Sequence, residues 1–234
     1  MSVDPSWRET LLSSYGQLSQ TYREYLESDQ NYFPNRENYF NAFRTLPRER
    51  VRYILFGQDP YPRVESAIGY AFIDGKVDDI FSSSGLSKPV NRATSLRNFI
   101  KMALVARGNL DINDTSQEAI SNINKDDLIT SIHQLKENFE QNGVLLLNTA
   151  LIFSSKEESR KHINAWKPFV EMLLSQMQEI NPTLILFGTH AKALKKLKEI
   201  EKFQSIELEH PYNHTFISNK SALNLFGSMN LLAK

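Results

Sequence analysis

Three short apolar runs, separated by stretches with helical periodicity, limit what this chain can fold into. They are rich in β-favouring residues and lie at 51–56, 143–148 and 183–187, with a weaker fourth run at 203–208. Such runs, bounded by glycine, proline and polar residues, are typical of buried strands. Strands that alternate with helices pair in parallel through right-handed crossovers. We therefore predict an α/β protein, a three-layer α/β/α sandwich with a central, mostly parallel four-stranded sheet.

The intervening segments are predicted to supply the outer layers. Leucine and tyrosine recur every three or four residues between 7 and 26, as on an amphipathic helix, and further helices are expected at 36–44, 96–105, 128–141, 166–177 and 191–198. Thr94 or Ser95 is expected to cap the helix at 96–105. Residues 82–95 and 109–127 are predicted to be polar surface segments. We expect one domain over residues 1–234, whose helical part at 1–50 packs on the sheet.

Composition excludes several kinds of site. The chain has no cysteine, and its five histidines lack any common ligand spacing, so we expect no metal and no cofactor. A net charge of +0 argues against a protein that holds nucleic acid by overall charge, although a locally basic face is compatible with it. No apolar run approaches the roughly 20 residues that span a bilayer, and no signal pattern opens the chain. We expect a cytoplasmic protein.

Polar residues follow each predicted strand. In chain order they are Asp59, Asn148, Thr189 and His210. Because parallel strands end at the same edge of a sheet, where ligands bind, we expect these side chains to meet around one pocket. Each also has an ordinary explanation. An aspartate before Pro60 is common turn chemistry, an asparagine can cap a strand end, and a histidine before a proline can belong to a simple turn.

The strand ends resemble those of the family 1 uracil-DNA glycosylases. The family motif GQDPYH appears here as GQDPYP at 57–62, and GVLLLN is intact at 143–148, a specific pair. Trp166 lies at the family's distance after the second motif. The resemblance covers residues 51–215 in the family's order.

Three weaker likenesses support it. The phenylalanine-containing GLCFS strand of the family is similar to GYAFI at 69–73, and the WGS turn resembles FGT at 187–189. The HPSPLS turn survives only as HPYNHT at 210–215.

The resemblance implies a DNA glycosylase that hydrolyses the N-glycosidic bond of uracil in DNA for base excision repair. The reaction builds positive charge on the sugar and negative charge on the departing uracil. Asp59 would stabilise the former and orient a water, and His210 would stabilise the latter by donating a hydrogen bond to uracil O2. A neutral imidazole would serve for this.

The resemblance also implies the residues that recognise the base. Asn148 would read uracil N3–H and O4 together, because an amide offers both an acceptor and a donor. Phe72 would stack on the base, Tyr61 would exclude the methyl group of thymine, and Gln58 would line the pocket, chiefly through its backbone amide.

Glycosylases draw their target nucleotide out of the stack, and the family holds the flanking phosphates with turns near helix N-termini. The DNA-binding candidates are Pro89, Ser95, Gly188, Thr189, Tyr212 and His214. Local positive charge could come from Lys156, Arg160, Lys161, Lys192 and Lys220. The implied partner is uracil-containing DNA, and we expect a monomer.

Three departures leave alternatives open. Pro62 stands where the family has the histidine that closes its first motif, and it cannot donate a hydrogen bond. His214 replaces the wedge leucine, so Tyr212 or Phe216 would have to act as the plug, and the chain after residue 216 matches the family poorly. A non-catalytic DNA-binding relative and a glycosylase for another damaged base both fit. A nucleotide-binding α/β protein is disfavoured, because no glycine-rich phosphate loop follows any predicted strand.

Overall fold

The first apolar run supplies an inner strand of a four-stranded sheet. The computed structural model describes residues 2–28, 31–188, 194–195 and 197–234. Within them the strands are β1 (Tyr53–Gly57), β2 (Phe81–Ser82), β3 (Gly85–Leu86), β4 (Val144–Asn148), β5 (Thr183–Phe187) and β6 (Ser205–Leu208). The main sheet has the order β4-β1-β5-β6, and β1 pairs in parallel with both β4 and β5. This confirms the predicted four-stranded sheet.

The α-helices of the described residues are α1 (Arg8–Gly16), α2 (Gln20–Ser28), α3 (Lys88–Arg92), α4 (Thr94–Ala106), α5 (Gln117–Asn122), α6 (Ile132–Gln141), α7 (Ser159–Met177) and α8 (Lys220–Met229). Short 3-10 turns lie at Pro5–Trp7, Asn41–Phe43, Arg48–Arg50, Lys198–Lys202 and His214–Ser218. The chain divides into two compact units. The first comprises Met1–Asp74 and Gly143–Glu207, and the second comprises Gly75–Asn142 and Leu208–Lys234. None of the described helices is long and apolar enough to cross a membrane.

The core of the first unit is built on aromatic side chains. Trp166 of α7 is fully buried, with its ring 5.7 Å from that of Tyr39 and 5.1 Å from that of Phe169. Trp7 is also fully buried, and its indole N–H donates to the Leu46 carbonyl at 2.7 Å. Large aromatic rings bury more apolar area than any other side chain, so these residues dominate the packing. The N-terminal residues and the strands β1, β4 and β5 share one continuous core.

The N-terminal helices differ from the prediction. The expected continuous helix at 7–26 is two helices. The first, α1, ends at Gly16, and Ser19 caps the start of α2, because its hydroxyl accepts the N–H of Tyr22. The expected helix at 36–44 is a series of turns with one 3-10 segment. The Asn41 amide donates to the Ile68 carbonyl at 2.9 Å, and such side-chain bonds compete with helix formation.

In the second unit, the two predicted polar segments carry regular structure. The β2–β3 hairpin, which begins at Phe81, and α3 occupy most of 82–95, and α5 falls within 109–127. Gln117 of α5 helps to hold the β2–β3 hairpin in place, because its side-chain oxygen accepts the N–H of Leu86 at 2.8 Å. The expected cap at Thr94 or Ser95 is wrong: α4 already includes both, and Ala93 precedes it without a side-chain cap.

Two other helices begin at different residues from those predicted. The helix expected at 128–141 begins at Ile132, after a capping box formed by Ser131 and Gln134. The helix expected at 166–177 begins two turns earlier, at Ser159. Half of the helix expected at 191–198, residues 191–193 and 196, lies outside the described residues.

Candidate active site

The turn after β1 carries Asp59 and is tied to the end of β4. The N–H of Ala150 and the hydroxyl of Thr149 both donate to the Gln58 carbonyl, at 3.0 and 2.6 Å. The N–H of Thr149 donates to the Gly57 carbonyl at 3.0 Å. Pro60 follows, with its φ fixed by its ring. The backbone is therefore held on both sides of the acid, and the Asp59 carboxylate projects from a constrained position.

The Asp59 carboxylate is half-buried and receives two side-chain donors. The hydroxyl of Ser159 and the Nε2 group of Gln58, at 3.3 Å, both donate to Oδ2. Among the residues that the structure describes, none donates to Oδ1. Sequence reasoning missed Ser159 because it lies 100 positions further along the chain and no motif includes it.

Asn148 ends β4 directly opposite Gly57 of β1, and its side chain is 5% exposed. A Cβ at Gly57 would lie 2.2 Å from Asn148 Oδ1 and 3.0 Å from the Ala71 Cβ, so the close approach of the amide requires glycine. Within the described part of the chain, no residue forms a hydrogen bond with the Asn148 amide group. Polar groups of mostly buried side chains normally have a hydrogen-bond partner, and this one has none among the described residues. Such a group is typical of a site that binds a ligand.

The segment at 69–73, expected to resemble a strand, is a series of bends. It is fastened to β4 by the N–H of Ala71, which donates to the Leu146 carbonyl at 3.1 Å. Phe72 has φ of 69°, in the left-handed region that a bulky residue rarely adopts. A strand cannot pass through that conformation, which explains the difference. Backbone strain of this kind clusters at ligand-binding positions.

Tyr61 and Phe72 are linked. The Tyr61 hydroxyl donates to the Phe72 carbonyl at 3.2 Å, and the Phe72 ring lies 6.3 Å from that of Phe187 at the end of β5. Burial raises the pKa of the Tyr61 phenol, and the Asp74 carboxylate raises it further. The phenol therefore stays protonated and keeps donating. The first unit thus places Gln58, Asp59 and Tyr61 in the turn after β1, Asn148 at the end of β4, and Phe72 in the segment that is fastened to β4.

His210 belongs to the second unit, two residues after the end of β6. Its Nδ1 accepts the N–H of Tyr212 at 3.0 Å. An imidazole nitrogen that accepts an N–H carries no proton, so this contact fits the tautomer with the proton on Nε2, where it can donate. The neighbouring Glu209 carboxylate accepts the Thr215 hydroxyl at 2.5 Å and the Asn219 amide at 3.1 Å. That His210 shares one pocket with Asp59 stays a prediction.

Asn98 of α4 holds the loop after His210 and was not foreseen. Its side chain is 2% exposed, and its Nδ2 group lies 2.8 Å from the Pro211 carbonyl and 3.3 Å from those of Tyr212 and Asn213. An asparagine on the apolar face of an amphipathic helix was the one available signal, since buried polar residues there need a specific partner.

The DNA-binding candidates are distributed over both units. In the second unit Pro89 is exposed in α3, Ser95 is half-buried in α4, His214 is exposed, and Tyr212 is 66% exposed. Gly188 follows β5 with φ of 55°. Thr189 and Lys192 lie outside the described residues. Phe216 is fully buried, with its ring 6.3 Å from that of Phe99, so the alternative that it acts as an apolar plug is wrong.

Comparisons with known proteins show which family the whole chain is similar to. No protein-family model matches the chain. The crystal structure of the wild-type UNG of Nitratifractor salsuginis is 58% identical and superposes with a TM-score of 0.98, covering 100% of this chain and 94% of that one. The uracil-DNA glycosylase of Sulfurimonas denitrificans is 29% identical over 221 residues, covering 90% of this chain and 83% of that protein. The uracil-DNA glycosylase of Francisella tularensis subsp. holarctica is 29% identical over 182 residues, covering 76% and 69%.

Proposed function

The chain belongs to the uracil-DNA glycosylase family, and we propose that it excises uracil from DNA with Asp59, Asn148 and His210 as the residues that act on the sugar and the base. It is a hydrolase of N-glycosyl bonds and acts in DNA repair. The observation that carries the site assignment is the buried Asn148 amide, which no described residue satisfies. Its partner in the working enzyme is the edge of uracil.

In the proposed reaction, the bond between the sugar C1′ and uracil N1 breaks and a water oxygen bonds to C1′. The Asp59 carboxylate stabilises the positive charge that develops on the sugar and orients this water. His210 donates from Nε2 to uracil O2 and stabilises the departing anion, which finally takes up the water's proton. Fixed donors and charges placed where charge develops lower the barrier most effectively in a site shielded from water.

Base recognition follows from the donors and acceptors of one amide. Asn148 Oδ1 accepts the uracil N3–H while its Nδ2 group donates to O4. Cytosine presents an acceptor at N3 and a donor at N4. The Asn148 oxygen would then face an acceptor and its Nδ2 group would face a donor, so neither hydrogen bond could form. Phe72 stacks on the base, and Gln58 lines the pocket through its backbone.

A direct test is a uracil-release assay with the purified protein on single-stranded and duplex DNA. We expect free uracil and an abasic site from both. A non-catalytic DNA-binding relative would bind the same DNA without release, and a glycosylase for another damaged base would release that lesion but little uracil. We further propose that the protein is cytoplasmic. We also propose that it is a monomer, since one copy supplies every candidate residue, and light scattering after gel filtration would test this oligomeric state.

Replacing Tyr61 is expected to change base specificity. Tyr61→Ala removes the ring that we place against the thymine methyl position, so thymine release should rise at least about tenfold above background, the scale that one methyl group sets in a pocket. The measurement is base release from matched duplexes with one thymine or one uracil. Tyr61→Phe is the control, because it keeps the ring and loses only the bond to the Phe72 carbonyl. If Tyr61→Ala released no more thymine than the Tyr61→Phe control, the assignment of Tyr61 would be contradicted.

Gly57→Ala is expected to weaken uracil binding. The added methyl group would meet the Asn148 side-chain oxygen at 2.2 Å, so the amide must move away from its position. Because a misplaced amide pairs poorly with the base, we expect the Kd for free uracil to rise about tenfold, equivalent to one hydrogen bond. Titration calorimetry measures it. Gly16→Ala, with open space around the Cβ, is the matched control; equal affinities for both variants would contradict the role of this close approach.

A further inference from the structure

The motif that carries Asp59 cannot hold its own carboxylate firmly. Pro60 and Pro62 have no donors, and the Tyr61 hydroxyl is used by the Phe72 carbonyl. Among the described residues of the turn, only Gln58 donates to the carboxylate, through its side-chain amide at a long 3.3 Å. A carboxylate on a short side chain with a single weak neutral donor can rotate. The stronger restraint must therefore come from another part of the first unit.

That restraint is Ser159, whose hydroxyl donates to Asp59 Oδ2. Ser159 is 8% exposed and is the first residue of α7, a helix of 19 residues. One turn further along, His162 anchors the same end of the helix. Its two ring nitrogens lie 2.7 Å from the Tyr22 hydroxyl and 2.7 Å from the Ser154 hydroxyl, and its side chain is 1% exposed. The donor is thus fixed on a rigid element, which suits a positioning role.

Both donors meet the same oxygen. Ser159 and Gln58 converge on Oδ2, whereas no residue in the described ranges donates to Oδ1. We propose that Ser159 is a positioning residue that fixes the rotation of the Asp59 carboxylate, so that Oδ1 is presented to the sugar and the attacking water. This inference rests on the proposed function of Asp59. It extends the site to a residue that lies outside every motif of the resemblance.

A positioning role separates binding from chemistry. Ser159→Ala is expected to lower the single-turnover rate of uracil release about tenfold or more, the effect of losing a hydrogen bond to a charged group. The Kd for uracil-containing DNA should stay within about twofold of wild type, since Ser159 touches neither base nor phosphate in the proposed complex. Ser175→Ala, an exposed serine of the same helix, is the control and should keep the wild-type rate.

A pair of variants of equal shape separates the hydroxyl from packing. Ser159→Thr keeps the hydroxyl and Ser159→Val replaces it with a methyl group, so the two strain the helix start alike. We expect the threonine variant to release uracil much faster than the valine variant. Thermal unfolding midpoints identify any variant that fails to fold, and the Thr–Val comparison keeps the test valid if Ser159→Ala is unstable. Equal rates for the pair would overturn the proposal.

A double-mutant cycle then asks whether Ser159 acts through Asp59. In an Asp59→Asn background, Ser159→Ala should cause little further loss, because the carboxylate that it positions is gone. Equal fold-losses in both backgrounds would show a purely structural serine and overturn the inference. The proposed function fails separately, if wild type releases no uracil or if Asp59→Asn releases it as fast as wild type. If Ser159→Ala released uracil at the wild-type rate while Asp59→Asn was impaired, the role of Ser159 would be rejected and the proposed function would stand.

Discussion

Asp59→Asn is expected to lower the single-turnover rate of uracil release by about 10² to 10⁴-fold, the range for removing a positioned catalytic group. The amide has nearly the shape of the carboxylate but no charge. It can therefore neither stabilise the positive sugar nor orient water as a carboxylate does. The turn itself should survive, because the bonds that fix it run through the Gly57 and Gln58 carbonyls rather than through the Asp59 side chain.

The measurement is release of uracil from a single-uracil oligonucleotide with enzyme in excess, so that product dissociation does not contribute. DNA affinity, measured by fluorescence anisotropy, should change by no more than a few fold. Glu49→Gln removes one exposed carboxylate from the same unit and serves as the control. If Asp59→Asn and the control gave the same rate, Asp59 would be a structural turn acid and the catalytic assignment would be wrong.

His210→Ala is expected to have the second-largest effect, a loss of about 10² to 10³-fold, as for other donors that stabilise a developing anion. The basis is its tautomer. With Nδ1 occupied by the Tyr212 N–H, the ring presents an Nε2–H donor without needing a positive charge. Removal of the ring deprives the departing uracil of this donor but leaves the loop held by Asn98.

The same single-turnover assay measures this effect. His133→Ala, which removes an exposed histidine of α6 in the same unit, is the control and should retain the wild-type rate. His210→Gln, which restores a side-chain donor, should recover part of the loss. A His210→Ala enzyme as fast as its control would make this residue a simple turn histidine.

Local sequence patterns were sufficient for the strands. Strands β1, β4 and β5 are buried runs with clear ends, and their hydrophobic pattern can be recognised without a partner, whereas β6 is mostly exposed and gave the weakest pattern. The same holds for Asp59 and Asn148, which follow β1 and β4 because the runs end there. The ends of helices were harder to predict from the sequence. Gly16 and Ser19 divide the predicted N-terminal helix, and that outcome depends on capping, which the apolar stripe does not reveal.

Contacts between distant segments were not predictable from one sequence. Ser159 and Asn98 each lie about 100 positions from the groups that they bind, outside any motif, and only folding brings them there. Phe72 was expected in a strand because its segment resembles the GLCFS strand of the family, but its left-handed backbone is set by surrounding structure. Phe216 was considered as a plug on chemical type alone, and its burial against Phe99 decided otherwise.

The central claim is that one acid, one amide and one imidazole act on the same base. A crystal structure of the protein soaked with uracil tests it most directly. We predict uracil with N3–H and O4 on the Asn148 amide, O2 within hydrogen-bonding distance of His210 Nε2, and its face on Phe72, with Asp59 directed to the side where the sugar would attach. Uracil bound elsewhere, or an Asp59 carboxylate turned away from Asn148 and His210, would contradict the account.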